Sequence, residues 1–394
     1  MRPAVSQRPA IRRAAQEALG LRAWALPLLA GAPATLPPAA GPEGWKTFLS
    51  IERCALPLRD ALAAAELLEE APDAARRALE KRAVNEAMHV LALRREAGEV
   101  AGLLRTHGWE AAVLKGGATV LAGGREVDVR DLDLLVSPEE APALAAVLDG
   151  AGYEANEVDL NPGAPNRHEL AGRMRPGGMI VEVHFDLAPV SENPDPRGGD
   201  TLPLPVQGLR RLPAVANLWH VLTHGTLHHP ERRGALRDLL VAASAVAWCS
   251  EPELAEVERR AAGHRSADVL QRMLSMAREL ARGGRVRDRF ARESATAYLL
   301  HAYTARRRPA MPLLLALGRT AHALTSGPAE YRQLWAGSHV SAFSRGYAGH
   351  RAIDRVLPGI GYLGRSLWRA AHLAAAALPG VWMARTARRL AREG

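Results

Sequence analysis

Cysteine is nearly absent from this 394-residue chain: Cys54 and Cys249 are far apart, which excludes a disulfide framework and a close-spaced thiolate metal site. A reducing compartment is the expectation, with cytoplasmic localisation. Lysine is almost as scarce. The cationic charge is nearly all arginine, and Lys46, Lys81 and Lys115 are the only lysines, so each of those positions merits inspection. No apolar run approaches the roughly 20 residues of a membrane-spanning helix. The run from Leu373 to Met383 lies between His372 and Arg385 and is interrupted by Pro379-Gly380. Near the start, the apolar stretch Ala23 to Ala32 behind Arg12-Arg13 resembles an export signal only superficially. Ile11 to Trp24 reads as an amphipathic helix containing Glu17, and Pro27 interrupts the run. Walker A, HExxH and GxSxG signatures are missing, as is any internal repeat. Gly359 to Gly364 matches G-x-G-x-x-G. However, Pro358 precedes it, no βαβ pattern surrounds it, and no acidic residue follows at about 20 positions, so a dinucleotide fold is excluded.

What is present describes an ordinary folded chain, with 48% hydrophobic and 24% charged residues. A net charge of +9 and a pI near 10.2 favour acidic partners: nucleotides, nucleic acid or an anionic surface. The Pro-rich stretch from Gly31 to Gly44 reads as an arm following the first helix. From Ala55 to Leu104, apolar residues recur at three- and four-residue spacing, which predicts two or three packed helices. At Gly108 the pattern changes. Ala111 to Leu114 and Leu132 to Val136 read as buried strands, Pro138 to Leu148 as a helix ending at Gly150, and Met179 to Leu187 as an alternating strand. After a Pro/Gly-rich connection over 190–205, containing Pro194 and Arg197-Gly198-Gly199, the chain reads as helical: His220 to Ala247 with a break at Pro230, then Glu253 to Arg282, then basic amphipathic segments. The expected division is 1–50, an N-terminal helix and arm; 51–107, helical; 108–205, a mixed α/β core; 206–300, helical; and 301–394, a basic helical region.

Within Val129 to Val136, Asp131 and Asp133 are two apart, so in a strand they share one face while Leu132 and Leu134 enter the core. Two carboxylates held that close need a cation, and a hard divalent ion with oxygen ligands supplies one. Lys115-Gly116-Gly117 lies between a strand and a short helix. Glycine lets backbone N–H groups approach a phosphate, and Lys115 could balance its charge, which makes a plausible triphosphate cradle. The third carboxylate expected of such a site is Glu182, with Asp186 in reserve on the same strand face and His184 lining the pocket between them.

The succession Leu114-Lys115-Gly116-Gly117, Asp131-Leu132-Asp133-Leu134-Leu135-Val136 and Val181-Glu182-Val183-His184 resembles an uncharacterised bacterial nucleotidyltransferase family with motifs LKG, DxDLLV and VElHw, of the polymerase-β-like superfamily. The resemblance covers roughly residues 80 to 245. It implies an α+β fold, a small mixed sheet flanked by N- and C-terminal helical regions. It also implies phosphate binding by Gly116 and Gly117, metal binding by Asp131 and Asp133, and Glu182 as the third carboxylate. The family often carries an arginine shortly before its DxD; Arg125 and Arg130 flank that place, and Arg130 is the nucleotide-binding candidate.

His220, His224 and His228 recur at four-residue spacing, followed by His229. Histidines at i and i+4 can chelate zinc, but a zinc site wants further ligands. The favoured reading is a helix beside the active site, with His224 reaching the pocket, and the resemblance adds a later acidic segment matched by Leu236-Arg237-Asp238-Leu239. The C-terminal arginines Arg365, Arg369, Arg385, Arg388, Arg389 and Arg392, with Trp368 and Trp382, could touch an anionic membrane or nucleic acid. A solvated face packed on the rest of the chain is favoured. The expected activity is transfer of NMP from an NTP, ATP first, to a hydroxyl of an unidentified acceptor (small molecule, peptide or protein). Two Mg²⁺ ions would serve it, with Mn²⁺ as the alternative. A non-catalytic nucleotide-binding or interaction module is the competing expectation, and a nucleic-acid acceptor is permitted by charge but not favoured.

Overall fold

The computed structural model describes residues 7–155, 168–187, 201–228, 232–307 and 379–393. Helix α1 (Arg8–Leu29) buries Ile11, Ala14, Ala15, Ala18, Leu21, Ala25 and Leu26 along one stripe. The helix runs through Pro27 rather than stopping there. Pro27 lies in the last turn, where the loss of one N–H donor has little helix left to disrupt. α2 (Pro42–Glu52) and α3 (Ala55–Ala64) follow, then the long α4 (Asp73–Thr106), whose buried Leu79, Ala83, Val90, Leu93, Ala97 and Val100 keep helical spacing. The expectation of two or three helices over 55–104 is met by α3 and α4.

The sheet has seven strands in the order β3-β4-β5-β2-β1-β7-β6. These are β1 (Ala111–Val113), β2 (Asp131–Leu135), β3 (Glu154–Ala155), β4 (Arg173–Met174), β5 (Ile180–His184), β6 (Leu202–Pro203) and β7 (Leu209–Arg211). It is mixed: β1 is antiparallel to β2 but parallel to β7, and β2 is parallel to β5. Val113, Leu132, Leu134, Val181 and Val183 are buried in the main core, towards α4 and α6 (Ala141–Gly150). On the other face, Ala112, Leu114, Leu135, Leu187, Leu212 and Ala216 form a small separate cluster. β5 ends at His184, three residues short of the expected Leu187. The chain bends at Phe185, leaving Asp186 exposed with its carboxylate accepting from the Leu187 N–H at 2.7 Å. β7 lies in the stretch read as helical from sequence; its three residues carry too little pattern to show as a strand.

α5 (Lys115–Leu121) links β1 to β2, and α7 (Ala214–Thr223) continues into a π-helical turn, His224–His228. α8 (Leu236–Ala247), α9 (Glu251–Gly263) and α10 (Ala267–Arg282) complete the helical side, and α11 (Ala291–Arg307) packs on α1 and α2. Ser250 and Glu253 form a reciprocal capping box that starts α9. A helix over 379–393 buries Met383, Ala384, Ala387 and Leu390 and sets Arg8 over the Trp382 ring, as the favoured packed reading expected for that segment. No helix among the described residues is long and apolar enough to cross a membrane. The glycine pattern 359–364, Trp368, Arg365 and Arg369, the run from Leu373 to 378, His229, Pro230, Pro194 and 197–199 lie outside the described residues.

Two buried ionic networks meet at the end of α2, one among the helices and one beside β2. Arg22 donates to Glu52 at 2.9 and 3.0 Å and to Asp288 at 2.8 Å, and Tyr298 donates to the same Glu52. Glu52 also accepts from the Leu236 amide at 2.5 Å and so fixes the first turn of α8. Next door, Arg53 donates to Asp128 at 2.6 Å, just ahead of β2. The end of α2 thereby sets both sides of the region described next.

Candidate active site

The parallel register of β2 and β5 places Asp133 opposite Glu182, Asp131 opposite Ile180 and Leu135 opposite His184. Alternation puts Asp131, Asp133, Glu182 and His184 on one face. Ligand atoms of Asp133, Glu182 and His184 lie within 4.8 Å of one another. Lys115 Nζ donates to Asp133 Oδ1 at 2.7 Å, and His184 Nε2 lies 3.0 Å from the same oxygen. Asp131 has no hydrogen bond or ion pair among the described residues.

The electrostatics divide these carboxylates. Burial would raise Asp133, but Lys115 and His184 outweigh it and hold Asp133 far below the ordinary range. Asp131 moves up, through burial and the neighbouring Asp133 charge. For Glu182, nearby His184, whose Nε2 stands 3.7 Å from Oε2, pulls down while burial, Asp133 and Glu169 push up, and the net shift is upward. Burial would depress His184, yet its hydrogen bond to Asp133 and the nearby Glu182 carboxylate raise it to about 9. Lys115 is raised because Asp133, Asp131 and Glu182 together overcome its burial. Its ammonium marks where these carboxylates collect a cation. Asp131, shifted upward with no hydrogen bond or ion pair among the described residues, and the oxygen-rich donor set fit a hard divalent ion.

Lys115 takes a left-handed backbone, φ 55°, where a side chain is unfavourable, as α5 begins. Packing leaves little room for a side chain at Gly116 and Gly117. A Cβ on Gly116 would meet Arg237 Nη2 at 2.7 Å and Val129 at 3.1 Å, and one on Gly117 would meet Val113 at 3.0 Å. Arg237 thus lies directly on the glycine turn, its Nε donating to the Asp128 carbonyl at 3.1 Å and its Nη1 to Asp238 at 2.6 Å. Asp131 is among the charges that raise it.

Asp128 is a hub that sequence reasoning missed. Fully buried, it receives Arg53, His89 Nδ1 at 2.6 Å, Arg130 Nε at 3.2 Å and Arg82 at 3.4 Å. Arg130 is therefore paired with Asp128, and Arg125 donates to the Leu29 carbonyl at 2.9 Å, away from the carboxylates. The remaining missed residues are Arg237 and Arg53, plus His168 and Glu169 ahead of β4. The Leu236-Arg237-Asp238 segment carried the signal for Arg237; Arg53, His168 and Glu169 carried none. Of the helical histidines, His224 is buried in a file of rings, 5.0 Å from His228 and 5.8 Å from His220. His220 is 2% exposed with both ring nitrogens unpartnered; burial and the Lys115 and His184 charges lower its pKa.

Residues 47–282 match the sequence model of a family of uncharacterised nucleotidyltransferases. The chain belongs to that family. The match extends from within α2 to the last residue of α10, so the Arg53–Asp128 and Glu52–Leu236 contacts fall inside the family's span along with the strands, while Arg22 and Tyr298 lie outside it. No curated protein and no solved structure matches the chain. Family membership supports nucleotidyl transfer as the general activity and implies an NTP as substrate.

Proposed function

We propose that the chain transfers NMP from an NTP, ATP being the first to test, to a hydroxyl of a small molecule, peptide or protein, with release of pyrophosphate. The observation that carries this reading is the Asp133–Glu182 pairing in parallel register, with Asp131 on the same face. Asp131 and Asp133 would hold one Mg²⁺ and share a second with Glu182; Mn²⁺ would suit the same oxygens. Bound there, the ions would neutralise phosphate charge and make the acceptor hydroxyl more acidic.

The chain's own residues supply the rest. Glu182, half-buried and shifted upward, is suited to take the acceptor proton. The hydroxyl oxygen attacks the α-phosphorus in line, the bond to the bridging oxygen breaks, and pyrophosphate leaves with that electron pair. Lys115, with Arg237 against Gly116, provides positive charge for the triphosphate, and Gly116 and Gly117 keep the turn thin. Arg53 and Arg130, collected by Asp128, extend that basic rim. His184 holds Asp133 in place, and His220 is near enough to feel the charges of Lys115 and His184.

A nucleotide-binding module without turnover is the second reading. It is favoured by one observation: Lys115 and His184 already compensate Asp133. Incubating the protein with each α-labelled NTP, Mg²⁺ and a lysate of the native host, then seeking pyrophosphate and an NMP-modified product by mass spectrometry, separates the two. A labelled product lost in Asp131→Asn and Glu182→Gln supports transfer. Saturable NTP binding without product across all four nucleotides supports the module.

A further inference from the structure

We infer that His168, Glu169 and His184 form a second metal site, one for a zinc-class transition cation, beside the hard-ion carboxylates. The segment is pinned rather than loose: Glu169 bridges His184 across the strands, Leu170 N–H donates to the Val183 carbonyl at 2.8 Å, and Phe185 N–H donates to the His168 carbonyl at 3.0 Å. This backbone pairing turns His168 Nε2 and His184 Nδ1 toward one oxygen, Glu169 Oε2, each at 3.5 Å. All three ligand atoms lie within 4.8 Å of one another.

Those separations leave room for a cation between the three ligand atoms. An N–H···O bond between charged groups closes to about 2.7–2.9 Å, well inside what is seen. Ligands held about 2.0–2.1 Å from a tetrahedral zinc stand roughly 3.3–3.4 Å apart, which matches the two 3.5 Å edges. Two imidazoles and one carboxylate are the donors of a borderline-soft cation, whereas Asp131, Asp133 and Glu182 are those of a hard one. The set supplies three ligands, so the fourth position is left for water or an anionic oxygen. Glu169 and His168 keep side-chain exposures of 30% and 15%, which gives an ion a path in.

His184 also has the outer contact that a metal-bound imidazole ordinarily makes. With Nδ1 on the cation, its Nε2–H points at Asp133 Oδ1, 3.0 Å away, in a carboxylate–histidine–metal arrangement. The transition cation therefore fixes the ring that orients Asp133, and the two sites communicate through a single imidazole.

The test uses the full chain stripped of metal, loaded with Co²⁺ in the presence of excess Mg²⁺, and read by visible absorption and by inductively coupled plasma mass spectrometry. One tightly held Co²⁺, with the intense absorption of a tetrahedral ion and displaced by Zn²⁺, is the expected result. Glu169→Gln and His168→Gln should each weaken Co²⁺ binding more than about 100-fold, beyond the loss usual for an outer contact. Asp131→Asn should leave it unchanged. Thermal unfolding of each variant confirms that it folds, and Glu169→Gln is conservative at a partly exposed position. Co²⁺ that Mg²⁺ removes, or that both variants retain, would place the ion among the carboxylates and overturn the inference. Pyrophosphate release measured with Mg²⁺ alone reports on nucleotidyl transfer independently of this outcome.

Discussion

Asp133 and Glu182 face each other across the parallel pair β2 and β5, and His184, two residues beyond Glu182, closes on Asp133 at 3.0 Å. Asp131 shares their face but not their partners. That asymmetry separates stability from turnover at neighbouring positions.

Asp131→Asn removes an ionised group that burial and Asp133 disfavour, so the variant should be as stable as the parent or about 1 kcal/mol more so. Asp133→Asn leaves Lys115 and His184 buried without their counter-charge and should cost about 3 kcal/mol. Both should lower NMP transfer more than about 100-fold. Chemical denaturation alongside pyrophosphate release checks the pair; equal stabilities would contradict the charge assignment.

At the glycine turn, Gly116→Ala should be the harsher change. Its Cβ collides with Arg237 Nη2, at 2.7 Å, and that guanidinium is tied to Asp128 and Asp238. A loss of about 1–3 kcal/mol and a raised KM for the NTP are expected, because Arg237 has to leave the turn. Gly117→Ala meets only the Val113 methyl at 3.0 Å and should be milder. Steady-state kinetics with both variants distinguishes them.

Glu86 imposes a pH dependence on stability. It is buried, accepts the Leu56 amide at 2.9 Å, and lies near Asp128; burial above all lifts its pKa from 4.5 to about 7. A folded-state value above the unfolded one means that the contribution is complete below about pH 4.5 and is lost as pH rises through about 7, at most about 3 kcal/mol. Glu86→Gln keeps an acceptor and no titration. Its melting temperature should therefore fall less than the parent's between pH 5 and pH 8, and parallel curves would refute this.

Arg22 and Glu52 are both fully buried, with Asp288 and Tyr298 as further partners. Arg22→Met strands the Glu52 charge and should destabilise by about 3–5 kcal/mol, whereas Arg22→Met with Glu52→Met should recover part of it. Urea unfolding of the two singles and the double gives the coupling directly.

The local elements near the site were legible because they are short-range. Alternation at Asp131, Asp133 and Glu182 showed which residues share a face, and the three ordered motifs together pointed to the family. β7 was not legible, since Leu209 to Arg211 becomes a strand only by pairing with β1. For a similar reason, the proximity of Arg130 to the DxD in sequence could not reveal that its guanidinium pairs with Asp128. Four-residue spacing drew attention to His224, and the burial of His220 beside Lys115 and His184 emerges only in the fold.

By itself, the sequence determined which carboxylates line up, because a strand's two-residue period is local and independent of what surrounds it. Only the tertiary structure decided the charge state of each. Burial and the neighbouring Asp133 charge raise Asp131 against the pull of Lys115 and Arg237, whereas Lys115 and His184, from segments distant in the chain, overcome burial at Asp133 and hold it low. Long-range packing also brings His168 and Glu169 to His184, a meeting that no spacing along the chain encodes.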